Sequence, residues 1–174
     1  MKLEERKRRV KAKFDEVDEE FIGEFGNRSK RLLEGASVEA GIDLRGWKLR
    51  TRRGMKNAWA DPKNREVVIG DLMAELRSPV FKFALLHELG HVKQMVEKRL
   101  EPDTHWAFCR WNGKSILALP GSAREYAALP WERDASDFAM SSTFYEKVEE
   151  RDMEGLQGNL FDVLREHLKM KRII

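Results

Sequence analysis

The chain has 174 residues, 41% of them hydrophobic and 36% charged, with 33 Lys and Arg against 30 Asp and Glu for a formal net charge of +3. That is enough for one compact domain with a real core and too little for two of ordinary size. A lone cysteine, Cys109, excludes an internal disulfide, a cysteine-rich zinc site and a C-x-x-C redox pair, so any metal must be held by His and carboxylates.

Residues 1–9 are charged nearly throughout, and no stretch has the apolar length that crosses a bilayer, so the expectation is a cytoplasmic protein without membrane association. Apolar residues at Leu3, Val10, Phe14, Val17, Phe21 and Phe25 recur at helical spacing amid dense charge and predict an amphipathic helix, bent or ended by Gly23 and Gly26. A second short helix is expected from Arg28 to Glu34, with Gly35 as its stop. Alternation over 47–53, a strand over 55–60 and the β-branched run Val67, Val68 and Ile69 predict a small antiparallel sheet.

Asp71 is expected to cap a short helix, and Ser78-Pro79 to start a longer one reaching about Arg99. Asn112-Gly113 between strand-like runs predicts a hairpin over Trp106–Leu119. A helical turn follows at Ala123–Ala128, then a helix from Pro130 to about Glu149. Leu160, Phe161, Leu164 and Leu168 form one face of a last helix. The fold class is α+β, organised as a helical extension (1–45), a catalytic core (46–149) and a C-terminal helix packing on that core (150–174).

The chemistry is concentrated in His87-Glu-Leu-Gly-His91. Four residues apart on a helix, the two histidines project from one face and can share a zinc ion, while Glu88 reaches the water that zinc activates, as the general base of peptide hydrolysis. A catalytic zinc needs a third protein ligand. His105, Glu125, Glu132, Asp134 and Asp137 are candidates. Glu132 is favoured, because Pro130-Trp131-Glu132 opens a helix and holds the carboxylate on a rigid element. Ala135 then lets that helix pack tightly on the motif helix, and Gly90 marks a close approach by another segment. His105 and Tyr126 are candidate hydrogen-bond donors to the transition state, and Asp134 and Asp137 candidate partners for the free N–H of a metal-bound histidine.

The HELGH motif followed by Pro130-Trp-Glu-Arg-Asp-Ala135 resembles the minimal gluzincin metallopeptidases, notably the ImmA/IrrE-like group, whose Glu-x-x-Ala helix supplies the third ligand; Glu132 and Ala135 match it. Met55-Lys-Asn-Ala-Trp59, the Val67-Val-Ile strand and the motif helix resemble SprT-like proteases. The resemblance covers roughly residues 47–140 and implies a zincin-like fold and a zinc peptidase acting on a protein or peptide substrate. Neither a helix-turn-helix segment nor a cysteine zinc ribbon is present.

Three readings follow. The leading one is a zinc endopeptidase with His87, His91 and Glu132 as ligands, Glu88 as base, and the Trp106–Leu119 hairpin lining the cleft and offering an edge to an extended peptide. The second keeps the metal site in a regulatory or DNA-associated binding protein with little proteolysis. The third is a structural zinc with His105 as a fourth ligand. The basic stretches 6–9, 28–31 and 50–53 are interleaved with acids, so nucleic-acid binding is permitted but not indicated.

Overall fold

The computed structural model describes residues 11–18, 23–105 and 107–171. Residues 1–10 and Phe21 of the expected first helix lie outside that set, as does Trp106. The described part of that segment departs from expectation: Glu16–Val17 form a strand, β1, parallel to β2 (Lys48–Arg52). Asp18 explains part of this. Its carboxylate accepts from the backbone N–H of Thr51 and from Arg50, tying the segment to the sheet.

The first helix among the described residues, α1, runs without interruption over Glu24–Ala40. Gly23 is its N-cap and Gly41, at φ 66°, its left-handed C-cap. Gly35 therefore does not stop a helix. It lies inside α1, where a β-carbon would meet the Phe144 ring at 2.7 Å, so its role is to admit that ring.

The main sheet has the order β1-β2-β4-β3, with β3 at Ala58–Asp61 and β4 at Glu66–Gly70. It is mixed where an antiparallel sheet was expected: β1, β2 and β4 run parallel, and only β3 is antiparallel to β4. Val67, Val68 and Ile69 of β4 are all buried, the unbroken apolar pattern of an inner strand covered on both faces. A 3₁₀ helix at Asp71–Glu75 follows, and Asp71 accepts from the Gly54 N–H across the loop instead of capping it.

Helix α2, Ser78–Val96, starts with Pro79 in its first turn, as the sequence implied. Every residue from Phe83 to Val92 is buried, so α2 is a central helix with no solvent face over that stretch. It packs against α1, against β3 and against α4 (Pro130–Ser141). Leu33 of α1, Leu49 of β2, Ile69 of β4 and Leu86 of α2 meet in one core with Phe161 and Leu164 of the last helix, α5 (Asn159–Lys171). Burial of each such side chain contributes about 1.5–3 kcal/mol.

A second sheet, antiparallel and of order β5-β6-β7, comprises Leu100–Pro102, Phe108–Trp111 and Lys114–Leu117, with Asn112-Gly113 at the expected hairpin turn. Helix α3 occupies Ala123–Ala128 as expected, whereas α4 ends at Ser141, well before Glu149. No helix among the described residues is long and apolar enough to cross a membrane.

Candidate metal centre

One turn of α2 separates His87 from His91, and both rings leave the same side of the helix toward the start of α4. That helix begins at Pro130, so Glu132 lies in its first turn, where the exposed N–H groups and the helix dipole favour a carboxylate. The two helices approach at Gly90 and Ala135: a β-carbon on Gly90 would stand 2.9 Å from the Ala135 Cα. Small residues on both sides thus bring Glu132 level with the histidines.

The convergence is tight. His87 Nε2 lies 3.0 Å from a Glu132 oxygen and 3.2 Å from His91 Nε2, and His91 Nε2 lies 3.5 Å from the other Glu132 oxygen. His87, His91 and Glu132 are all buried, and among the described residues they are the one group whose donor atoms lie close enough to hold a metal ion. A tetrahedral site with bonds of roughly 2.0–2.1 Å has ligand edges of about 3.3 Å, which the three separations straddle. Two imidazole nitrogens facing each other at 3.2 Å also need a proton or a cation between them. The donor set therefore fits a divalent metal.

Each ring is oriented through its other nitrogen. His91 Nδ1 lies 3.0 Å from Gln94 Oε1 and His87 Nδ1 lies 3.2 Å from Ser136 Oγ; with both Nδ1–H groups donating to these oxygens, loss of the Nε2 protons that bridge to Glu132 would turn both Nε2 lone pairs toward a bound metal. The Gln94 amide donates in turn to the Trp131 carbonyl and to Asp134, which also accepts from Arg99. Asp134 thus acts one bond further out than expected, and Asp137 stands apart, 3.3 Å from His167 of α5. Gln94 and Ser136 were missed. Their signal was positional: each lies about one helical turn beyond a ligand on the ligand's own helix.

Electrostatics separate the two carboxylates. Burial alone would raise the Glu132 pKa, but the His91 charge and hydrogen bonds from both histidines outweigh it and hold Glu132 well below the usual carboxylate range. For Glu88 burial wins over the same histidines, and its carboxyl is raised. Burial lowers the His91 pKa less than the Glu132 and Glu88 carboxylates raise it, so it reaches about 9. The result is one carboxylate fixed as an anion and a second poised to take up a proton.

The centre opens into a cleft of about 720 Å³. One wall is residues 54–60, ending in β3, the sheet's edge strand. The Ala60 N–H donates to Glu88 Oε2 at 2.9 Å and so points away from β4. By strand alternation the N–H and C=O of Ala58 also face outward. The lining also includes Leu100, Glu101, Pro102 and Cys109, together with Tyr126, Trp131 and residues 157–161. Cys109 is the sole described lining residue from the hairpin, so the edge strands bordering the cleft are β3 and β5 and not β7, and β3 is the one that contacts Glu88.

Tyr126 lines the cleft with its phenol facing Glu132; burial and then that carboxylate push the phenol far above its usual range, so it stays a hydrogen donor. His105 is exposed and lies outside both the cleft lining and the ligand group. Glu125 instead accepts from the Gly121 N–H. No family model, curated protein or solved structure matches this chain.

Proposed function

We propose that this chain is a zinc-dependent peptidase of the gluzincin type, with His87, His91 and Glu132 holding the metal and Glu88 as general base. The observation that carries the reading is the buried convergence of two histidines and one carboxylate, with a second carboxylate of opposite proton affinity beside them. Three protein donors leave a coordination position free, as hydrolysis needs. A bound zinc supplies Lewis acidity, lowering the pKa of water toward roughly 7 and polarising a carbonyl.

The chain's own groups perform the remaining steps. Glu88 takes the proton of the attacking water as the C–O bond forms, then returns it to the amide nitrogen as the C–N bond breaks. Tyr126 donates to the carbonyl oxygen as negative charge develops there. The outward backbone of Ala58 offers a donor and an acceptor to an extended polypeptide, and the largely apolar cleft excludes water from it. Polypeptide, rather than a small amide, is the substrate that an edge strand recognises.

The test is incubation of zinc-loaded protein with a denatured protein mixture, new N-termini being mapped by mass spectrometry. Wild type should generate them, and Glu88→Gln should generate none while keeping its zinc. Equal cleavage by both proteins, or no cleavage by the zinc-loaded wild type, would overturn the reading.

A further inference from the structure

A second cavity of about 360 Å³ adjoins the metal cleft, with Pro62, Met95, Leu100, Glu101 and Pro102 lining both. Its lining mixes apolar and charged side chains. Of the charged groups, Asp43 is engaged by the Arg45 guanidinium, so that pair cancels. Arg65 and Lys98 are exposed, and neither forms an ion pair with another described residue. Glu101 stands on the ridge between the two cavities.

The backbone singles out the same two cations. Only three described non-glycine residues have positive φ, namely Arg65 at 53°, Lys98 at 56° and Asn112 at 49°. Asparagine tolerates that region, whereas arginine and lysine are strained there and glycine would be at ease. Arg65 ends the β3–β4 turn, and Lys98 follows the helix that carries His87 and His91. The Lys98 conformation is the left-handed ending of α2, with its N–H donating to the Met95 carbonyl and the Arg99 N–H to the Gln94 carbonyl, and Arg65 closes a tight turn. Two chain reversals thus carry two exposed cations to one cavity from different elements, both attached to the candidate metal centre.

We propose that this cavity is a specificity subsite for an acidic side chain, Asp or Glu, of the polypeptide that lies in the metal cleft. The occupant's identity rests on the peptidase reading. A chain leaving the cleft crosses the ridge at Glu101, which disfavours an acid there, and then reaches Arg65 and Lys98, which favour one. The preferred substrate carries a non-acidic residue on the ridge followed by an acidic one, at a fixed offset from the bond cleaved.

The test separates binding from hydrolysis. Randomised short peptides are passed over immobilised, zinc-loaded Glu88→Gln protein and the retained ones are sequenced. Acidic residues should be enriched at one offset on the order of tenfold, the effect of two exposed ion pairs. The double variant R65E/K98E should enrich basic residues at that offset, and R65Q/K98Q should show no charge preference. An unchanged profile in the variants, no acidic enrichment in the parent, or no retention of peptides overturns the subsite. So does a DNA oligonucleotide that binds through Arg65 and Lys98 in preference to acidic peptides. Acidic enrichment without hydrolysis by the zinc-loaded wild type would support the subsite and overturn the peptidase reading instead.

Discussion

Gly90 of α2 and Ala135 of α4 are so close that a methyl group at Gly90 would stand 2.9 Å from the Ala135 Cα and 3.1 Å from its Cβ and carbonyl oxygen. The contact lies between His87 and His91 on one helix and three residues past Glu132 on the other, so it sets the spacing of the metal ligands. Gly90→Ala gains about 0.5–1 kcal/mol of helix propensity. It loses about 1–3 kcal/mol by overpacking against backbone that has nowhere to move. The expected result is a lower Tm and weaker zinc binding together, read by thermal melts with and without zinc. A Tm at or above wild type would show that the helices can separate without cost.

Gln94 orients His91 with a neutral amide, which itself is held by Trp131 and Asp134. Gln94→Leu should keep the fold's volume but weaken zinc binding by about 10–100-fold, the usual effect of losing a partner of a metal-bound histidine. Competition with a chromogenic chelator measures it. Wild-type affinity in this variant would mean that the packing of α2 alone orients the ring.

The metal-free centre should bind zinc with proton release. His91 is raised to about 9, so at pH 7.5 it carries a proton that it must lose to become a ligand. Calorimetry in buffers of different ionisation enthalpy should count about one proton released at that pH, and fewer as pH approaches and passes 9. The stability of the metal-free protein follows the same group. Because the folded pKa lies above the unfolded one, His91 stabilises fully below about 6.5, and the contribution is lost as pH rises through about 9. A metal-free Tm that did not fall from this cause between those limits would remove the ion pair with Glu132.

Tyr126→Phe deletes one hydroxyl from the cleft and leaves the three ligands in place. If the phenol donates to the developing oxyanion, kcat should fall by about 100–1000-fold with little change in KM and no loss of zinc. A matched rise in KM with kcat intact would make Tyr126 a substrate contact only.

The motif helix was legible because its information is local. His87 and His91 share a face by virtue of 3.6 residues per turn, and Pro79 marks the helix start within one turn. Hairpin Asn112-Gly113 and the Ala123–Ala128 helix were legible for the same reason: a turn or a cap is decided by neighbouring residues. Gly35 shows the limit of that logic. Read locally it is a helix stop, yet it lies mid-helix because Phe144, distant in sequence, fills the space its missing side chain leaves.

The sheet shows the limit at a larger scale. Alternation and β-branching identify strands, but strand direction depends on which neighbours pair, and here β2 pairs with β4 in parallel with β3 displaced to the edge. That displacement brings β3 beside Glu88 and makes it the edge of the cleft, a role the sequence reading assigned to the hairpin. Glu16 and Val17 were read as helical because their spacing fits, and they join the sheet through contacts with residues some thirty positions on.

By itself, then, the sequence determined the chemical types at the centre: two imidazoles at helical spacing, a carboxylate beside the first, and a second carboxylate opening a later helix. Only the tertiary structure decided that Glu132, and not His105 or Glu125, meets both rings, that Gln94 and Ser136 orient them, and that β3 walls the cleft. The reason is physical. Spacing along one helix is fixed by backbone hydrogen bonds within it, whereas the meeting of two helices is fixed by the volumes at their crossing: small residues at Gly90 and Ala135 were legible as a close approach, but the donor atoms that this crossing brings together were not.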